Sequence, residues 1–214
     1  ADPLEGDLPE RAARHRDVAQ ARAWAIRRSF LGELGYELLI STEFTAHVYE
    51  ALTKAGKPLG LKPAGMFALN ACRLEKGFRH FGHDIGEEDT PYETGLGFAV
   101  DLGKPRFIGR DALARQKEQQ GAATKFRMVA IKVPSATAKD GPYLMHNEPV
   151  WHGEHLVGHV TSGGWGWRLN AMIGLAALHN EAGVAKTWVS GGGFDVQIAG
   201  NRYPIDVQLE PFYD

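Results

Sequence analysis

From Thr124 to its end the chain repeats one pattern: short apolar runs separated by glycine, proline, asparagine and aspartate. The runs are MVAIKV, EPVWHG, HLVGHVTSG, MIGLAAL, TWVSG, FDVQIAG and RYPIDVQLE. Their lengths suit strands, and their spacing is that of a small barrel or sandwich. Gly191-Gly192-Gly193 and Gly200-Asn201 supply turns, while Phe194, Val196 and Ile198 alternate as a half-buried strand does. The cluster Gly163-Gly164-Trp165-Gly166 reads as a barrel turn, because it opens no helix and no acidic residue stands at the dinucleotide-binding offset. Residues 122–214 therefore predict an all-β domain, a small barrel or a sandwich.

The preceding stretch has a different grammar. Tyr36, Leu38, Leu39 and Ile40 form a run long enough for a strand after the turn at Gly32–Gly35. Ser41 and Thr42 can cap a helix whose apolar positions Phe44, Val48, Ala51, Leu52 and Ala55 recur at helical spacing, with Gly56 as its C′ residue. Pro63 is placed to open a second helix, AGMFALNACRLE, apolar on most sides and so expected between layers. A third helix spans 111–119. Residues 25–121 thus read as an α/β portion, with a boundary near 119–124. Residues 8–24 are rich in Ala and Arg with a sparse apolar face, after an acidic, proline-broken start at 1–10, and residues 1–24 read as a leader or surface helix.

Charge and composition exclude several classes. Twenty-four basic against 26 acidic residues leave a net charge of −2, short of the basic footprint that phosphate backbones require, so no nucleic acid is expected as partner. The longest apolar stretch, Met172–Leu178, is far below the ~20 residues that span a bilayer, and no membrane partner is expected. One cysteine excludes an internal disulfide framework, and Cys72 reads as a packed thiol. His152, Glu154, His155 and His159 crowd a hairpin tip where strand periodicity need not converge them, so no metal site is expected.

The segment SFLGELGYEL (29–38) is the informative one. Glu37 follows an aromatic residue at the start of a strand, and its two oxygens can accept parallel N–H bonds from a flat heterocycle. Equally, it can be the solvent-facing residue of an alternating strand. Tyr36 either supports the same pocket or faces the core. Downstream, Arg73, Glu75, Lys76, Arg79, His80, His83 and Asp84 lie among Phe78, Phe81 and Phe98 in a glycine-rich stretch. That mixture suits an anionic, partly aromatic ligand, and equally a solvated helix end and loop.

The pieces GELGYEL (32–38), ALNACRLEKGFRHFGHDI (68–85), EDTPYETGLGFAV (88–100), FIGRDAL (107–113), VGHVTSGG (157–164) and EPFYD (210–214) resemble, in order, the aminomethyltransferase family of the glycine cleavage T-protein. The resemblance is nearest to the folate-binding regions behind the FAD domains of dimethylglycine and sarcosine dehydrogenases. It implies an α+β chain: part of a ferredoxin-like α/β domain followed by a C-terminal β-barrel. The family pattern carries a substantial stretch before GELGYEL, so the chain is expected to be the C-terminal portion of a longer protein or a reduced relative. The implied cofactor is tetrahydrofolate, with Glu37 receiving the pterin N–H groups and Phe30 and Phe98 as aromatic walls; FAD is expected only on a further N-terminal domain. The family's catalytic aspartate falls in the N-terminal region, so no residue here is assigned that role. A T-protein arginine expected near Leu69 is absent, and the Lys-Gly-Cys pattern of an iron–sulfur-assembly branch does not fit RSFLGELGYE. The implied function is folate-dependent one-carbon transfer from a methylated amine such as dimethylglycine or sarcosine, alone or with an upstream FAD domain or partner chain. A non-catalytic folate-binding or assembly module is the alternative. The expected compartment is the cytoplasm, or the mitochondrial matrix in a eukaryote.

Overall fold

Period-two alternation, more than composition, decides how the chain begins. The computed structural model describes residues 8, 9, 11–120 and 123–213. In place of the expected helix, Ala13–Val18 (β1) and Ala21–Ile26 (β2) form an antiparallel hairpin, and β2 pairs with Glu37–Leu39 (β3). Ala21, Ala23 and Ala25 are buried while Arg22 and Trp24 point outward. Ala and Arg favour helices in isolation, but the alternating burial of three alanines overrides that weak preference. The part of the expected leader within residues 1–7 and at 10 lies outside the described residues.

A 3₁₀ turn at Thr42–Phe44 leads into α1 (Thr45–Gly56), where Val48 is the buried residue. Ser41 makes no side-chain cap, and Gly56 is the helix's last residue rather than its C′ glycine. The left-handed residue is Gly60 (φ 83°), which closes a further 3₁₀ turn, Lys57–Leu59. α2 starts at Met66, three residues after Pro63, and ends at Glu75. It is not sealed between layers: Met66 and Phe67 are exposed, whereas Ala71, Arg73, Leu74 and Glu75 are buried. Cys72 is only half-buried.

Two compact units emerge, residues 1–69 and 70–214. This division falls well before the compositional change near 119–124, and hydrogen bonds explain it. Within the second unit, segment 70–95 is tied to the barrel by Arg73, Asp84 and Glu75, and by the Glu93 carbonyl, which accepts the Met128 N–H at 2.8 Å. α3 (Arg110–Gln120) follows where the third helix was expected.

The strand-like runs close into a six-stranded antiparallel barrel. Its strands are β4 (Phe126–Val133), β5 (Pro149–His152), β6 (His155–Gly166), β7 (Ala171–His179), β8 (Phe194–Ile198) and β9 (Asn201–Gln208), in the order β4-β7-β6-β5-β8-β9. Pairing of Ala130–Lys132 with Asp206–Gln208 completes the ring. Closure leaves no strand of the ring with an unpaired edge. Ile131, Val133, Val150, Val160 and Val196 fill the interior and are fully buried. One expected strand is a helix: the TWVS of TWVSG lies in α4 (Lys186–Ser190), and Gly191 caps it. The GGWG cluster is strand, not turn. At Gly163 a Cβ would stand 2.4 Å from the Leu144 Cβ, and at Gly158 one would stand 2.0 Å from the Ala177 carbonyl oxygen, so these positions exclude any side chain.

Candidate functional site

Glu37 opens β3 opposite Ile26 of β2. Arg28, two residues beyond Ile26, therefore falls on the same face, and its Nη2 donates to Glu37 Oε2 at 2.5 Å. The side chains are 42% (Glu37) and 59% (Arg28) exposed, so the pair adds little stability and weakens with salt. The hydrogen bond and then the charge of Glu37 raise the Arg28 guanidinium above its ordinary value. Among the described residues Glu37 Oε1 receives no donor. The carboxylate thus already accepts one planar N–H group and keeps a second acceptor open.

The loop before it is shaped by glycine. Gly32 has φ 71°, and a Cβ on Gly35 would approach the Ser29 Cβ to 3.0 Å, so the loop folds tightly on Ser29. Ser29 Oγ accepts the Leu31 N–H at 3.0 Å. Phe30 and Tyr36 flank this loop and are both half-buried. These three expected ligands, Phe30, Tyr36 and Glu37, share the first unit. Phe98 belongs to the second, on a 3₁₀ turn at Gly97–Ala99, where it is 85% exposed. A groove of about 600 Å³ along α1, lined by Tyr49, Leu52, Leu59, Leu61 and Pro63, contains none of them.

The charged stretch that starts in the last turn of α2 has a different fate from either reading of it. Arg73 and Asp84 are 1% and 0% exposed at their side chains, and Arg73 Nη1 donates to Asp84 Oδ2 at 2.5 Å. Arg73 Nε reaches Asn70 Oδ1 (2.9 Å), Nη1 also the Phe78 carbonyl (3.0 Å), and Nη2 the Ser162 hydroxyl (2.7 Å). Asp84 accepts further bonds from the His80 backbone N–H (2.8 Å), Thr161 Oγ1 (2.7 Å) and Ser162 Oγ (2.5 Å). Consecutive strand residues ordinarily point to opposite faces. The bulge between Val160 and Ser162 lets Thr161 and Ser162 both reach one carboxylate. Burial pushes the Asp84 carboxyl up, but Ser162, the His80 N–H, the Arg73 charge and Thr161 together hold it below the usual carboxylate range. Every Arg73 nitrogen and both Asp84 oxygens are engaged, which makes this a scaffold rather than a reactive centre.

Glu75, 4% exposed, accepts the Arg168 and Leu169 N–H groups at 2.7 and 3.3 Å and so caps the β6–β7 turn. Of the histidines at the β5–β6 tip, His152 packs 5.2 Å from the Trp188 ring and 4.7 Å from that of Phe194, whereas His155 and His159 are exposed. Sequence reading missed Arg28, Arg73 and Asp84 as partners. Parity along the β2–β3 hairpin could have suggested Arg28; nothing local pairs Arg73 with Ser162, 89 positions away.

Comparison with known proteins is consistent across the chain. Residues 3–104 match the family model described as the GCVT N-terminal domain, and residues 127–214 the glycine cleavage T-protein C-terminal barrel domain. The chain is 42% identical over 199 residues to 4-methylaminobutanoate oxidase (formaldehyde-forming) of Paenarthrobacter nicotinovorans, covering 92% of this chain and 23% of that protein. It is 32% identical to an aminomethyltransferase of Corynebacterium aurimucosum, covering 97% of this chain and 53% of that one. Human mitochondrial sarcosine dehydrogenase is 33% identical, with 89% of this chain and 20% of that protein covered. The chain therefore spans about a fifth to half the length of these relatives. The crystal structure of the glycine cleavage system aminomethyltransferase T from Bartonella henselae superposes with a TM-score of 0.73 at 21% identity, over 89% of this chain and 49% of that one, which establishes the shared fold. Among the described residues no helix is long and apolar enough to cross a membrane.

Proposed function

Because the chain belongs to the glycine cleavage T-protein family of aminomethyltransferases, we propose that it is the folate-binding part of a protein that moves a one-carbon unit from a methylated amine to tetrahydrofolate. Relatives named as a 4-methylaminobutanoate oxidase and a sarcosine dehydrogenase support a methylated amine as the source of that unit. Tetrahydrofolate, when bound, supplies the nucleophilic nitrogens that accept the one-carbon group. The chain's own part is to bind and orient, which is where much of the rate gain of a two-substrate step arises.

The observation that carries the reading is Glu37. A half-exposed carboxylate that accepts one planar N–H donor and keeps its second oxygen open has the donor-matching chemistry a pterin edge needs. Arg28 then acts as a resident stand-in that a tighter, two-point donor displaces. Phe30 and Tyr36 flank the same loop and are half-buried beside it. No residue of this chain is assigned the proton-transferring role.

Calorimetric titration of the 214-residue chain with tetrahydrofolate tests this. Glu37→Ala is expected to weaken binding at least tenfold and Arg28→Ala to leave it equal or tighter. Binding that survives Glu37→Ala unchanged refutes the assignment. Turnover of a methylated amine by a protein carrying this chain separates transfer from a module that only binds folate.

A further inference from the structure

Two guanidinium groups in the second unit converge without a counter-ion in contact among the described residues. Arg79 donates from Nε to the Thr94 carbonyl at 2.9 Å and from Nη1 to the Gly77 carbonyl. Arg127, on β4, donates from Nη1 to the Tyr92 carbonyl. These backbone acceptors clamp both groups and leave three donors over: Arg79 Nη2, Arg127 Nη2 and Arg127 Nε, the last of them buried with no partner among the described residues.

Two of these nitrogens meet beside Gly95, whose φ is 76° and whose missing Cβ would stand 2.6 Å from Arg79 Nη2, too close for any side chain, and 3.6 Å from Arg127 Nη2. The two nitrogens are therefore no farther apart than those distances combined. That span suits an anion whose oxygens each receive an N–H bond of about 2.8 Å. Among the described residues neither arginine has a carboxylate within ion-pair distance. The acids nearest in effect are Asp84, already held by Arg73, and the exposed Glu210.

We infer that Arg79 and Arg127, opened toward each other by Gly95, form a binding site for a small oxyanion that presents two oxygens, a carboxylate or a phosphate group. The site is independent of Glu37 and of the folate reading. Two partly buried like charges held together by backbone clamps repel each other, and an anion between them removes that cost. The electrostatics agree. Burial, then the Arg127 charge, push the Arg79 guanidinium below its ordinary value; burial does the same to Arg127, and Asp84 and Glu210 offset this only in part. Glu210 acts on both guanidinium groups through its charge, which opposes an incoming anion.

The experiment is calorimetric titration of the whole chain, at fixed ionic strength made up with chloride, using sodium phosphate in one arm and sodium succinate in the other. Saturable binding in either arm is expected, and the arm that binds names the source. Arg127→Gln should weaken it at least tenfold, and Glu210→Gln should tighten it severalfold by removing the competitor. Arg127→Lys, which keeps the charge and loses the fork, should fall between wild type and Arg127→Gln, and serves if Arg127→Gln does not fold. Absence of saturable binding in both arms, equal affinity in wild type and the Arg127 variants, or weaker binding in Glu210→Gln each overturns the site.

Discussion

Replacing Asp84 by Asn tests the scaffold at its most heavily loaded point. The wild-type carboxylate accepts four hydrogen bonds and neutralises a guanidinium that is 1% exposed. Asn keeps the shape and one acceptor oxygen, but turns an N–H₂ group toward donors and leaves Arg73 buried without its counter-charge. Summing four bonds individually would overshoot, because they share one network and are not additive. The relevant figure is that for breaking a buried ion pair from one side, about 3–5 kcal/mol. With a urea dependence of about 2 kcal/mol per molar, the denaturation midpoint at neutral pH should fall by roughly 1.5–2.5 M. The pH dependence has a definite sign. A carboxyl depressed in the folded state contributes stability above its unfolded value, near 3.9, and loses it as pH falls through the lower folded value. The gap between wild type and Asp84→Asn should therefore narrow as the medium is acidified below about pH 4. The double variant Arg73→Met/Asp84→Leu, which removes both charges, should be no less stable than Asp84→Asn. A neutral-pH loss under about 1 kcal/mol, or a gap that stays constant into strong acid, refutes the assignment of Asp84 as the network's charged centre.

Two further outcomes follow from the geometry. Gly158→Ala drives a Cβ into the Ala177 carbonyl oxygen at 2.0 Å and should cost about 3 kcal/mol or more, a fall of roughly 6–12 °C in Tm by calorimetry; a change within about 2 °C contradicts the close strand approach. Removing the exposed Lys125–Glu181 pair should leave Tm unchanged within error, although it is as short as the Arg73–Asp84 contact at 2.5 Å, because solvent screens it; a measurable drop would contradict that reading.

The barrel was legible because strand periodicity and turn residues agree from Thr124 onward; β4 to β9 fall on six of the seven apolar runs. The seventh, TWVSG, failed because a five-residue apolar run carries no usable period, and it becomes a helix. The opening hairpin was misread for the opposite reason: Ala-rich composition outweighed a genuine alternation at Ala21, Ala23 and Ala25. Glu37 was correctly placed at the start of a strand, yet its ion pair with Arg28 depends on the β2–β3 register, which one strand's sequence does not reveal. Arg73, Asp84 and Arg79 were noticed as charges but not as buried or convergent ones. Their surroundings come from β4 and β6, and from a bulge that reverses the facing of one residue. Gly163 and Gly164 looked like a turn because glycine is the commonest turn signal, whereas here it marks neighbouring chain pressed onto a strand.

Those bare positions on β6 carry a lesson for anyone redesigning or diversifying the molecule. Leu144 occupies the volume above Gly163, and Leu74 and Ile173 approach Gly164 and Gly166. A library that randomises this strand would be culled hardest at Gly158 and Gly163, where backbone atoms leave no room, and less at Gly164 and Gly166, where side-chain tips can yield. The same library applied to the open flank of α1, where Tyr49 and Leu52 meet solvent, would pass nearly intact. Mutational latitude around the barrel is thus set by side chains that are missing as much as by those that are present.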